Sequence, residues 1–155
     1  MPYTNYILLL AEDDPDDQLL FKQALEDLTI REQPIIVFNG QQLVDYLKEA
    51  MVLPDLLFLD INMPLKDGLT ALQEIREMPR LAHLAVVVLS TTSDHDAVER
   101  SYELGASLYA VKPTGYELLV DLLRNILSLD VKGILKNRQR TRFLVGADHA
   151  SLYRK

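Results

Sequence analysis

Apolar residues in this chain follow two alternating patterns. Unbroken runs at Ile7–Leu10, Ile35–Phe38, Leu56–Leu59, Ala85–Leu89 and Leu108–Val111 are short and bounded by turn residues, which predicts strands buried on both faces. Between them, apolar positions recur every three or four residues. Leu20, Phe21, Ala24, Leu25 and Leu28 form the first such stripe, and Leu43, Tyr46, Leu47 and Ala50 the second. Leu69, Leu72, Ile75 and Met78 form a third, Val98, Tyr102 and Leu104 a weaker fourth, and Leu118, Leu119, Leu122, Leu123, Ile126 and Leu127 a fifth. This spacing predicts five helices. The punctuation agrees: Asp14 suits an N-cap with Pro15 in the first turn, Pro54 and Pro79 end helical stretches, and Gly105 suits a C-terminal stop.

Five strands, each followed by a helix, imply an α/β fold. Its sheet would be parallel and doubly wound, with right-handed crossovers and helices on both faces. A length of 155 residues fits one domain with a real core. In this architecture every strand-to-helix loop opens on the same edge of the sheet, where ligands bind. Glu12 and Asp13 from the first loop, Asp60 and Asn62 from the third, Ser90 from the fourth and Lys112 from the fifth are therefore expected to converge.

Clustered carboxylates bind protons more tightly or recruit a cation. Oxygen ligands, with no cysteine in the chain and no suitably spaced histidine, point to a hard ion such as Mg²⁺. A lysine and a hydroxyl beside such an ion are the equipment of phosphoryl transfer, and an Asp carboxylate is a competent nucleophile there. Asp60, held by the buried run behind it, is the best candidate acceptor. Thr91 or Thr92 would replace Ser90 as the hydroxyl donor if the fourth strand ended later. On packing grounds alone, Tyr109 reads equally well as an ordinary buried aromatic.

Glu12-Asp13, Asp60-Ile-Asn-Met-Pro64 with Asp67-Gly68, Ser90-Thr91 and Tyr109-Ala-Val-Lys112-Pro113 together resemble the receiver domain of two-component response regulators, over about Tyr6 to Asp130. The run Asp13-Asp14-Pro-Asp-Asp17, Asn39-Gly40 and Ser90-Thr-Thr92 through Ser101-Tyr102 are similar to single-domain receivers that partner bacterial phytochromes. The resemblance implies a flavodoxin-like, five-stranded sheet of order 2-1-3-4-5, with residues 1–130 as the receiver and 131–155 as a basic extension. It also implies that Asp60 accepts phosphate from the phosphohistidine of a sensor histidine kinase. Asp13, Asp60 and the backbone carbonyl of Asn62 would hold Mg²⁺, with Glu12 assisting through water. Ser90 and Lys112 would contact the phosphoryl oxygens, and Tyr109 would turn inward as the Ser90 hydroxyl moves. The protein would then be a switch that catalyses its own phosphorylation and dephosphorylation. Its readout surface would be helix four, strand five and helix five. Thr91 and Thr114-Gly115 depart from the commonest receiver pattern, the first bearing on access to the phosphoryl group and the second on the surface of helix five.

Two other classes compete. A Mg²⁺-dependent phosphohydrolase with an Asp nucleophile usually carries a second Asp two residues on as general acid, and Asn62 stands there instead. A flavodoxin-like electron carrier shares the topology, but the acids from Glu12 to Asp17 would repel a flavin phosphate.

Charge adds one feature. The net charge of −7 divides unevenly, because from Lys132 onward seven basic residues face one acid, leaving nine basic against 22 acidic before it. The acidic body is not expected to bind nucleic acid. The basic stretch is expected to be a solvated tail, a patch meeting an acidic surface, or an arm docking on a partner subunit through Phe143, Leu144 and Val145. Too few residues remain there for a DNA-reading output domain. The sequence leaves the oligomeric state open, with a homodimer through that arm or the helix 4–strand 5–helix 5 face and transient docking on a partner as the two expectations. No apolar run approaches the roughly 18 residues that cross a membrane, and the N-terminus has no secretory pattern, so a cytoplasmic location is expected.

Overall fold

The computed structural model describes residues 6–30, 32–129, 133, 139 and 142–146. Strands β1 (Leu8–Ala11), β2 (Ile35–Val37), β3 (Leu56–Leu59), β4 (Val86–Ser90) and β5 (Leu108–Val111) alternate with helices α1 (Pro15–Asp27), α2 (Gly40–Glu49), α3 (Gly68–Glu77), α4 (His95–Glu103) and α5 (Tyr116–Leu127). A 3-10 turn, Pro79–Leu81, follows α3, and a short strand, β6 (Leu144–Val145), ends the series. The sheet is parallel throughout, in the order β2-β1-β3-β4-β5-β6.

Side chains alternate across a strand, so each central run feeds two cores. Leu8, Leu10, Phe58, Val87, Leu89 and Ala110 pack beneath α1 and α5 with Phe21, Leu25, Leu122 and Ile126. Leu9, Leu57, Leu59, Val86, Val88 and Tyr109 pack on the other face with Leu43, Leu47, Leu72 and Ile75 of α2 and α3. Unbroken apolar runs are thus required rather than alternating ones. The helix starts follow their capping residues: the Asp14, Asn39 and Asp67 side chains accept the first free N–H groups of α1, α2 and α3.

At the edge where the strands begin, the Arg76 guanidinium donates twice to the Gly105 carbonyl, at 3.0 and 2.8 Å, and once to that of Leu81 at 3.0 Å. Gly105 has φ +97°, as expected of a helix-ending glycine, so α3 is fastened to the turn between α4 and β5.

The structure differs from the sequence reading in several places, β2 stopping at Val37 rather than Phe38 and β4 running Val86–Ser90 rather than Ala85–Leu89. Strand β1 starts one residue later, because Ile7 spends its N–H on the Asp55 carboxylate. Leu118 faces outward on α5. More consequentially, the sheet has six strands among the described residues. Leu144 pairs with Tyr109 and Val145 with Ala110, so the expected five-stranded sheet gains a strand from the extension. The open edge of β5 offered unpaired peptide groups, and an extended segment with apolar side chains satisfies them. Phe143, Leu144 and Val145 therefore lie on the chain's own sheet rather than in solvent. The basic positions Lys132, Lys136, Arg138 and Arg140 lie outside the described residues. Among the described residues, no helix is long and apolar enough to cross a membrane.

Phe58 is fully buried and meets Phe21 edge to face, with ring centroids 5.0 Å apart. Phe58→Ala should lower unfolding free energy by about 3–5 kcal/mol. Met51→Ser, at a position 97% exposed, should change it by less than about 0.5 kcal/mol. Chemical denaturation of both variants checks this.

Candidate functional site

Backbone hydrogen bonds bring the first and third loops together before any side chain acts. Glu12 N–H donates to the Val37 carbonyl at 3.0 Å, and Asp60 N–H to that of Ala11 at 3.1 Å. Beyond Asp60, Gly68 N–H donates to the Ile61 carbonyl at 2.8 Å. Any Cβ at Gly68 would stand 2.2 Å from the Asp60 carbonyl oxygen, so the start of α3 can close on Asp60 only with glycine there. The acceptor candidate is thus clamped from both sides.

The side chains of Glu12, Asp13 and Asp60 offer oxygens that all lie within 4.8 Å of one another, with Glu12 buried and Asp13 exposed. Burial pushes the Glu12 carboxyl up from 4.5 to about 7, against the opposing pull of Lys112. Burial likewise raises Asp60, although Lys112, Glu12 and the Asn62 backbone N–H all favour its charged form. Lys112 follows β5 directly, and its Nζ donates to Glu12 Oε1 at 2.7 Å and to Asp17 Oδ2 at 3.2 Å. Its own burial opposes the ammonium, but hydrogen bonding to Glu12 and the charges of Asp60, Glu12 and Asp17 outweigh that and raise its pKa. Lys112 also lines a cleft between α1 and α5 together with Leu20, Phe21 and Leu119.

Strand β4 runs one residue past the expected Leu89 and ends at Ser90, which is buried and lies beside the Tyr109 hydroxyl. Lys112 N–H donates to the Ser90 carbonyl at 2.7 Å, which ties the fourth and fifth loops together. Ser90 Oγ accepts from Thr92 N–H at 3.3 Å. Tyr109 is fully buried, and its hydroxyl donates to the Thr92 carbonyl at 2.7 Å and lies beside Ser90. Asn62 is exposed in the loop after β3, where its N–H faces the Asp60 carboxylate.

The sequence reading expected Glu12, Asp13, Asp60, Asn62, Ser90 and Lys112 to converge; the structure gathers Glu12, Asp13 and Asp60, sets Lys112 on Glu12, ties Ser90 to Lys112 through the backbone and leaves Asn62 exposed beside Asp60. It took Asp17 only as an acid near the start of a helix. Its place in the first turn of α1, five residues past Glu12, was the available signal that it could reach the same lysine. The Thr92 carbonyl as the partner of Tyr109 left no trace in residue type.

Three carboxylates, two of them raised by burial, form an acidic pocket whose donors are all oxygen. That set fits a hard divalent cation such as Mg²⁺ and leaves room for phosphate oxygens to complete its shell.

Residues 8–124 match the family described as the response regulator receiver domain. The chain is 35% identical over 125 residues to the response regulator Rcp1 of Synechocystis sp., a match covering 77% of this chain and 85% of that protein. Among solved structures, it is similar to the phosphorylated cyanobacterial phytochrome response regulator RcpA, with TM-score 0.73 and 32% identity over 78% of this chain and 90% of that one. It is also similar to the Mn²⁺-bound form of Rcp1, with TM-score 0.72 and 33% identity over 80% and 93% of the two chains.

The raised carboxyls set a direction of pH dependence. From 4.5 to about 7 the folded state holds a proton on Glu12 that the unfolded state has released, so unfolding free energy falls as pH rises through this range. That displacement corresponds to on the order of 3 kcal/mol. Without divalent metal, the melting temperature should fall between pH 5 and pH 8, and the fall should be smaller in Glu12→Gln. Added Mg²⁺ should raise it more at pH 8 than at pH 5. Calorimetry at both pH values checks this, and identical profiles for the two proteins would contradict the assigned electrostatics.

Proposed function

This chain belongs to the response regulator receiver family and is a phosphorylation-dependent switch of two-component signalling, and on that premise we propose that Asp60 is the carboxylate that takes the phosphoryl group. The observation that carries the proposal is the gathering of Glu12, Asp13 and Asp60 within 4.8 Å, with the Lys112 ammonium 2.7 Å from Glu12. Receivers accept phosphate from sensor histidine kinases. Likeness to phytochrome response regulators supports a phytochrome-linked kinase as the donor here.

An Asp60 carboxylate oxygen attacks the phosphorus as the P–N bond of the donor phosphohistidine breaks, and the bonding electron pair stays with the departing imidazole nitrogen. Asp13, Asp60 and the Asn62 backbone carbonyl would hold Mg²⁺, with Glu12 assisting through water, and the bound ion would supply the charge neutralisation that lets an anionic phosphoryl group approach. Lys112 exchanges its contacts with Glu12 and Asp17 for a phosphoryl oxygen, and Ser90 donates its hydroxyl to another. The same site returns the phosphate to water, with Thr91 standing next to the Ser90 donor and narrowing access. The new group adds about 1.5 to 2 negative charges and draws on the loop after β4, which connects through Tyr109 to the α4–β5–α5 face. That face is the readout surface for a protein output partner or a second copy of the chain, with its β5 edge covered by Phe143–Val145. Residues 1–130 form the receiver, 131–155 its basic arm, and the cytoplasm its setting.

Incubation with acetyl phosphate should add one phosphate to the intact mass when Mg²⁺ is present and none when it is chelated. Asp60→Ala should take up no label, and Lys112→Ala should slow uptake by roughly 10²–10³-fold, the range for loss of one charge-stabilising donor. Continuous turnover of phosphate esters without a stoichiometric protein-bound phosphate would instead support the phosphohydrolase.

A further inference from the structure

Strand β5 would be the bare edge of the sheet but for three residues of the extension. Tyr109 N–H donates to the Phe143 carbonyl at 2.9 Å, and Leu144 and Val145 continue the parallel ladder. Phe143 is 3% exposed and Val145 fully buried, each entering a different core layer. The Phe143 ring meets Tyr102 of α4 edge to face at 5.2 Å and 87°, and Tyr109 at 6.4 Å in a tilted arrangement. Phe143 therefore fills the space between the Tyr109 ring and α4, closing that way out of the buried position. On its far side, the Tyr109 hydroxyl holds the Thr92 carbonyl, and Thr92 N–H holds Ser90 Oγ.

The contacts run without a break from the phosphoryl site to the extension. Phosphoryl binding draws the Ser90 hydroxyl, and with it the loop 91–94. Docking of Phe143 pins Tyr109, and through it the same loop at Thr92. Two events that order one loop favour each other, because the second meets a loop whose entropy is already spent.

We propose that the β5 edge is an interaction surface for an extended segment carrying an aromatic residue and, two places on, a β-branched one. The chain's own Phe143–Val145 fills it, and its occupancy is positively linked to the phosphoryl group on Asp60. The proposal rests on the reading of Asp60 and Ser90 given above. Linkage is reciprocal, so the same factor must appear in both directions.

The test uses the full chain with beryllofluoride and Mg²⁺ as the phosphoryl probe. Phe143→Ala should weaken beryllofluoride binding by about fivefold or more, and Phe143→Leu, which keeps apolar volume, should recover part of the loss. In the unchanged chain, beryllofluoride should slow hydrogen exchange of the Tyr109 amide, whose hydrogen bond to Phe143 reports docking directly. The chain has no tryptophan, so Phe143→Trp adds a single indole whose emission should shift as beryllofluoride is titrated. Equal binding midpoints in the unchanged chain and Phe143→Ala, with unaltered Tyr109 exchange, would overturn the linkage. Failure of beryllofluoride to bind the unchanged chain would overturn the Asp60 reading and this proposal with it. Tyr109 protection that rises with protein concentration would assign the segment to a second copy and overturn occupancy by the chain's own residues.

Discussion

The structure depends on keeping mutually repelling acids together. Glu12, Asp13 and Asp60 share one small volume although two of them are raised by burial, and nothing in their own chemistry favours that arrangement. The parallel ladder imposes it. Ala11 pairs with Leu59, so the residues that follow in each strand must emerge side by side. The apolar burial of both core layers supplies the free energy that holds the ladder in register. Lys112, brought in by β5, offsets part of the repulsion and leaves the remainder available to a cation and an incoming anion.

Most of this was legible in the chain because the fold is built from strong and redundant signals. The runs Leu56–Leu59 and Leu108–Val111 matched their strands residue for residue, and Asp14 with Pro15 marked a helix start that the structure keeps. Convergence of the acids followed from topology alone. What stayed hidden depends on rotamers and on long-range competition. Residue type does not say that Lys112 prefers Glu12 and Asp17, because that choice reflects which carboxylates burial has left nearest. Phe143–Val145 was visible as an apolar segment in a basic stretch, but its destination was not. A short extended segment takes whichever unpaired edge it can reach, and two residues of ladder have no periodicity to reveal it.

Tyr109 gains meaning from this arrangement. A buried tyrosine needs a partner for its hydroxyl, and here that need is met by the backbone of the loop that also carries the Ser90 contact. An ordinary packing requirement thereby joins the charged rim to the surface of α4 and β5. The receiver family is known by its acids and its lysine, whereas this connection is made from one hydroxyl, one carbonyl and an aromatic contact.

Arg76 bears on how such a signal can move. Its guanidinium rivets the Gly105 carbonyl at the end of the molecule remote from Asp60. With its C-terminal end pinned in this way, α4 behaves as a lever with a fixed fulcrum. Its N-terminal end carries no side-chain cap, so a displacement begun at Thr92 would be taken up there before it reached the foot of the sheet.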